Sequence, residues 1–358
     1  MNRIYNPELK TVVVASGTEC DPLVLEAIVR KNTDGSLFFS WTGGGNAEPR
    51  VENVIKFKKS YDGGRSWSEE KILFAHPSKG MFMPAVYSEG NMLIAFPNSY
   101  YGWESTGFCQ DMQSYISVSN DGGESFSTPK TIPLGINGVH VKNTLKVGDR
   151  LIFPCSWIEL TGETWASFYG QNKPCVVNGK IYERGEESFY GNHTEYCGAL
   201  LSDDNGKTFR LCGRIGNKGR FFVEPMAIDL SDGTLVMLLR TGEKRLYKSF
   251  SHDNGETWSQ PTPTDIPSPI TKVMLLKDKE GAIYLLHNPS VERRSPLSVW
   301  VSRDDMRSWS VKVDLVSDDD MPLCYPDGFI DEGKGALCFS WDDRKSVYYS
   351  EYQLSKLK

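Results

Sequence analysis

The stretch "SHDNGETWSQ", residues 251–260, decides the fold, because the chain writes nearly the same thing four more times. The other copies are "SYDGGRSW" from Ser60, "SNDGGESF" from Ser119, "SDDNGKTF" from Ser202 and the degraded "SRDDMRSW" from Ser302. Each follows a run rich in apolar and aromatic residues, such as "YISV", "LYKSF" or "LSVWV", that stops at the serine. Such a run reads as a strand ending in a turn. Asp and Asn side chains can bond the backbone of their own turn, and Gly supplies positive φ at little cost. The motif therefore makes a rigid corner between antiparallel strands and leaves its aromatic residue free to pack inward.

The five serines are 59, 83, 49 and 51 residues apart. A period near 50 residues implies a repeated unit of about four strands, which fits a propeller blade. A second marker, a turn followed by an apolar run, occurs six times: "DGSLFFSW", "EGNMLIAF", "GDRLIFPC", "DGTLVMLL", "EGAIYLLH" and "GKGALCFS". The sixth unit is one strand short, since "CYPDGFID", "GALCFSW" and "SVYYSEYQL" give only three before Lys358. "KTVVVA", residues 10–15, is a strand with no partner nearby in sequence. It is expected to complete the last unit and so remove the open sheet edges. The expectation is an all-β, six-bladed β-propeller: one domain over 1–358, its last blade closed by the N-terminal strand, with an insertion at about 158–197 in the third unit.

Lys and Arg number 40 against 46 Asp and Glu, for a net charge of −6. Spread without clusters, this balance argues against nucleic acid or an anionic membrane as partner. No apolar run approaches the length of a membrane span. The opening "MNRIYNPELK" has no apolar secretion signal, which points to the cytoplasm, or to secretion if a signal has been removed. The eight cysteines include no C-x-x-C pair and several lie in strand-like runs, so buried thiols are expected rather than a disulfide framework or metal site. "NHT" at Asn192 fits a glycosylation sequon. P-loop, dinucleotide-binding, H-E-x-x-H and G-x-S-x-G patterns are absent, and no cofactor or metal is expected.

The repeated S-x-D-x-G-x-[ST]-[WF] corner resembles the Asp-box, or BNR repeat, of sialidases and related six-bladed propellers. That resemblance spans most of the chain and implies that the Asp-box carboxylates, including the tempting pair Asp203 and Asp204, belong to structural turns. Function is expected where six inner strands converge on one ligand. "FFVEPMAIDLSDGTLVMLLR" resembles the sialidase blade with a Glu on its first strand and an Arg ending its second, here Glu224 and Arg240; a structural ion pair between them is the alternative. "HNPSVERRSP" resembles the segment that supplies a further Arg, Arg293 or preferably Arg294. "LCYPDGFID" resembles the segment with the nucleophilic tyrosine, here Tyr325, with Asp327 close by as a further substrate contact.

The resemblance implies a glycoside hydrolase acting on a terminal sugar, with an acidic sugar among the candidates. A carboxylate on the reacting carbon would repel an anionic nucleophile, which makes tyrosine suitable. Glu224 would take the phenolic proton and arginines would grip the substrate carboxylate. Two departures stand out. Glu26, in "VLEAIVR", occupies the place of the family's first clamp arginine, and the loop "TGGGNAEPRVENV" offers Glu48 and Glu52 where the family has an acid/base aspartate. Arg50 or Arg344 would restore a third positive charge. His140 in "NGVHVKNTL" is a further acid/base candidate. The inserted segment carries Trp165, Phe168, Tyr169, Tyr182, Phe189, Tyr190 and Tyr196, which would stack on sugars or fasten the segment to its own blade. The partner expected is a carbohydrate; a uronate lyase, with Tyr325 or His140 abstracting a proton, and a non-catalytic glycan-binding propeller are the rivals.

Overall fold

The computed structural model describes residues 3–48, 50–83, 85–100, 113–132, 134, 138–160, 175–177, 180–182, 193–216 and 222–358. Most of the expected insertion, with Trp165, Phe168, Tyr169, Phe189, Tyr190 and the Asn192 sequon, lies outside these residues. The described regular structure is antiparallel strand apart from one short 3-10 turn, Leu354–Leu357.

Six sheets follow one another along the chain as blades 1 to 6 of a β-propeller. Blade 1 shows the plan, with strands Val24–Lys31, Leu37–Gly43, Val54–Ser60 and Lys71–Phe74 paired in sequence order from the axis outward. Blade 4 repeats it with Phe222–Asp229, Leu235–Thr241, Arg245–Ser251 and Thr262–Pro267. Blade 6 uses Cys324–Asp331, Ala336–Asp342 and Ser346–Gln353, and its outer strand is Lys10–Ser16, paired through Val12 with Tyr349. The ring is thus closed by the N-terminal strand. A second closure was not legible in the sequence: Ile4–Tyr5 pairs with Val316 and Ser317 at the outer edge of blade 5, so one N-terminal segment ties two blades. Arg3 reinforces it by donating to Asp318 at 2.8 Å and Asp343 at 2.7 Å.

Each Asp-box joins the third strand of its blade to the fourth and is a closed hydrogen-bond circuit. In blade 1, Ser60 Oγ donates to Asp62 Oδ1 at 2.9 Å and accepts from the Gly64 N–H at 2.8 Å, while Ser66 Oγ donates to Asp62 Oδ2 at 2.6 Å. The same circuit recurs at Ser119, Ser202, Ser251 and Ser302. Hydrogen bonds from Thr208 hold the Asp204 carboxyl down at about 2, as expected for a carboxylate that accepts several donors. Ser60 pairs with Leu37, and Leu37 with Lys31, so the boxes lie at the opposite end of the blade from residues such as Leu25.

The box aromatics pack on their own blades, as Trp67 does on Phe39 at 5.2 Å, and also seal the seams between blades. Trp67 of blade 1 meets Tyr349 of blade 6 edge-on at 5.7 Å, and Phe126 of blade 2 meets Phe38 of blade 1 at 5.6 Å. Box glycines approach the same neighbours. A Cβ on Gly64 would lie 2.2 Å from Tyr349, and one on Gly123 2.5 Å from Phe38. Around these seams the blades bury Trp41, Trp157, Trp341, Phe39 and Phe153 almost completely. Tyr196 stacks on Trp157 of its own blade at 5.8 Å, the fastening role open to the inserted aromatics. Cys155, Cys197, Cys324 and Cys338 are buried free thiols, Cys212 is a half-buried one and Cys20 an exposed one.

Candidate active site

Three inner strands carry the same irregularity. In blade 1 the register shifts between Leu25 and Ile28, in blade 4 between Val223 and Met226, and in blade 6 between Cys324 and Asp327. Each time two residues oppose one on the next strand, a β-bulge that turns a side chain out of the regular alternation. The first residue of each bulge is Glu26 (φ 55°), Glu224 (φ 49°) or Tyr325 (φ 48°). Non-glycine residues at positive φ cost about 1–3 kcal/mol each and collect at functional sites. Local strain is therefore spent three times to aim an acid, an acid and a phenol at one end of the ring.

Charged groups from four other segments meet them. Arg240 Nη1 donates to Glu224 Oε2 at 2.6 Å. Lys142, on the innermost segment of blade 3, places its Nζ 3.4 Å from Glu26 Oε1 and 3.6 Å from Glu224 Oε1. It bridges the bulges of blades 1 and 4. Arg294 lies with its guanidinium carbon 5.5 Å from the Tyr325 ring centroid and donates to the Ile270 carbonyl at 3.0 Å. Arg344, itself at φ 65°, is exposed at the rim and interacts electrostatically with Tyr325, Asp342 and Glu48. Beneath this layer Asp327 is 2% exposed and pairs with Arg30, with Lys272 at 3.8 Å. Arg30 also donates to the Val86 carbonyl at 2.6 Å, so this group ties blades 6, 1 and 2 together under the cup floor.

The loop that carries Glu48 is held by Asn53, which is fully buried. Its amide donates to the carbonyls of Gly44 at 2.6 Å and Ala47 at 3.0 Å, and its oxygen accepts from the Arg50 N–H at 2.7 Å and the Tyr100 hydroxyl at 2.6 Å. All four bonding positions of the side chain are used. Glu48 is half-buried.

The electrostatics divide the acids into two kinds. Burial alone would raise Glu224, but Arg240, Lys142 and Lys272 outweigh it and hold its carboxyl down at about 2. Burial and the neighbouring Glu26 push Glu48 up to about 8 against the pull of Arg344 and Lys142. Asp342, fully buried and accepting the N–H of Glu26 at 3.0 Å and of Arg344 at 3.1 Å, is pushed up to about 7 by burial despite Arg344. One acid is therefore anionic and the other holds a proton near neutrality, the separation that assigns acid and base roles. The Tyr325 phenol is raised by burial first and by Glu224, with Arg240 and Arg294 pulling the other way. Burial and Lys142 bring His140 down to about 3, so it is a neutral ring, set edge-on to Phe82 at 5.2 Å.

The structure thus brings together Glu26, Glu48, Glu224, Arg240, Arg294, Tyr325 and Arg344, with His140 close to Lys142. It does not bring in every candidate. Arg293 is exposed and pairs with Asp319 at 3.0 Å. Glu52 is exposed on the far limb of its loop. Asp327 is committed to Arg30 below the cup. Four contributors carried no sequence role: Lys142, Lys272, Asp342 and Asn53. A lysine beside an apolar strand, as in "VHVK" and "KVMLL", was the available signal for the first two. Among the described residues, no group of three or more His, Cys, Asp or Glu is placed to hold a metal ion.

Comparison with known proteins places the fold. The model of the BNR repeat-like domain matches residues 35–338. A sialidase from Micromonospora viridifaciens is 23% identical over 307 residues, covering 78% of this chain but only 44% of that relative's length. A Dyadobacter fermentans protein of unknown function superposes with a TM-score of 0.73 at 15% identity over 97% of this chain and 100% of the other. A mutant NanB sialidase from Streptococcus pneumoniae does so with a TM-score of 0.72 at 14% identity, over 98% of this chain and 71% of the other. These likenesses extend to the fold.

Proposed function

Because this chain belongs to the BNR repeat-like family, and two of the proteins it resembles are sialidases, we propose that it is a sialidase-like glycoside hydrolase that removes a terminal sugar from a glycan. The observation that carries the reading is the position of Tyr325: a phenol on a strained bulge, with Glu224 and the guanidiniums of Arg240, Arg294 and Arg344 acting on it.

In this reaction Tyr325 Oη bonds to the anomeric carbon while the bond from that carbon to the leaving oxygen breaks. Glu48, protonated near neutrality, gives its proton to the departing oxygen. Glu224, kept anionic by its cations, takes the phenolic proton only as the Tyr325 oxygen bonds to carbon and its O–H becomes acidic, and the three guanidiniums bind acidic groups of the sugar. Water then displaces Tyr325 from the sugar: the Glu48 carboxylate takes the water's proton as the new carbon–oxygen bond forms, and Glu224 returns its proton to the departing Tyr325 oxygen.

The test is a screen of chromogenic glycosides, sialosides and uronides among them, with Tyr325→Phe and Glu48→Gln alongside the parent chain. Each variant is expected to lower kcat by about 10²–10⁴-fold. Full activity in Tyr325→Phe would remove the nucleophile. Elimination predicts an unsaturated, UV-absorbing product instead; His140, at about 3, binds a proton too weakly to favour it. Saturable sugar binding without turnover by the parent chain would leave a glycan-binding propeller.

A further inference from the structure

Glu26 retains an oxygen that the protein does not use. Its Oε1 faces Lys142, whereas Oε2 is buried and has no hydrogen-bond partner. Glu26 is 8% exposed, sits at the same bulge position as Glu224 and Tyr325, and shares Lys142 with Glu224. These three facts put its carboxylate on the blade 1 side of the cup, next to the blade that supplies Tyr325. An unpaired buried acceptor is unfavourable by itself, and its persistence calls for a group that arrives later. Glu48 and Asp342 lie on the same side, pushed by burial toward their protonated forms, with Arg344 at the rim beside them, while Arg240 and Arg294 line the side of blades 4 and 5.

We propose that Glu26 Oε2 accepts a hydrogen bond from the bound sugar, and that the ligand is therefore one that turns a donor, a hydroxyl or an ammonium, toward blade 1 and any carboxylate toward Arg240 and Arg294. The inference rests on the glycosidase reading of the same cup and narrows its substrate class. A sugar whose carboxylate is on the reacting carbon and faces blade 1 is disfavoured, because like charges within a few ångströms repel strongly in a partly desolvated site. Neutral sugars, and uronides whose acid is remote from the reacting carbon, meet no such repulsion.

Two measurements test this. The first needs no ligand: Glu26→Gln, whose amide oxygen still accepts from Lys142, is expected to leave the melting temperature unchanged or raise it at pH 7. A fall of more than about 4 °C would mean that Glu26 is held for its ion pair, and would overturn the proposal. The second measures affinity by calorimetry in a Tyr325→Phe background for three probes, the methyl glycosides of galactose, glucuronic acid and N-acetylneuraminic acid. Glu26→Arg is expected to raise the N-acetylneuraminide to galactoside affinity ratio at least ~10-fold, the scale of one charge-assisted contact. Binding with an unchanged ratio overturns this inference alone; a chain that binds none of the three overturns it together with the reading it rests on.

Discussion

Glu48 is where local sequence says least and the environment most. Burial and Glu26 push it up to about 8. An ordinary glutamate in the unfolded chain titrates near 4.3. Two consequences follow, with opposite experimental handles. As a general acid it must hold its proton, so kcat is expected to be level through neutrality and to fall as pH rises past about 8. As a folded-state group with a raised value it binds more protons than the unfolded chain between those two values, so its contribution to stability declines as pH rises across that window. Glu48→Gln is expected to abolish the basic limb of the activity profile and to flatten the fall of melting temperature between about pH 5 and pH 8. A pH profile unchanged by the substitution would place the proton elsewhere.

At the scale of the element, the Asp-box is more than a turn. Its glycine lets one blade meet the flank of the preceding one, and its aromatic closes the seam. Gly123 is at φ 86°, and a methyl there would lie 2.5 Å from Phe38. Gly123→Ala combines backbone strain with overpacking and should destabilise by about 2–4 kcal/mol, read as a lower denaturant midpoint with unchanged slope. Blade 5 shows what replaces the glycine. There Met306 stands at φ 60°, and the seam between blades 4 and 5 contains a cavity of about 490 Å³ that Met306 lines with Leu238, Phe250 and Trp309. The degraded copy "SRDDMRSW" keeps the hydrogen-bond circuit through Ser302 and Asp304 but not the close seam.

For the whole molecule, stability depends on closure. Lys10–Ser16 covers the outer edge of blade 6, and Ile4–Tyr5 covers that of blade 5. Deleting residues 1–16 would bare the backbone of Ser346–Gln353, a ready template for pairing with another chain. The expected outcome is loss of a single cooperative melting transition and concentration-dependent aggregation, followed by calorimetry and light scattering. A truncated chain that melts as a monomer with the parent's midpoint would show that the ring holds without its closing strand.

Much of this plan is local and therefore legible in the chain. Asp-Gly corners, apolar runs and a period near 50 residues are written within stretches of ten residues, so blade number, strand order and the closing role of "KTVVVA" could be read directly. Arg240, Arg294 and Tyr325 took their roles from family resemblance, since a charge ending an apolar strand marks a residue as unusual without assigning it a function. The bulges were not legible, because positive φ at Glu26, Glu224 and Tyr325 comes from the pairing of whole strands. The lysine bridge and the proton on Glu48 were not legible either. They arise from charges on different strands and blades, such as Glu26, Lys142 and Glu224, brought together by strand pairing and ring closure. Sequence determined the repeat and hence the ring; only the tertiary structure decided which side chains face the axis and which protonation state each one holds there, because burial and mutual charge are properties of neighbours in space.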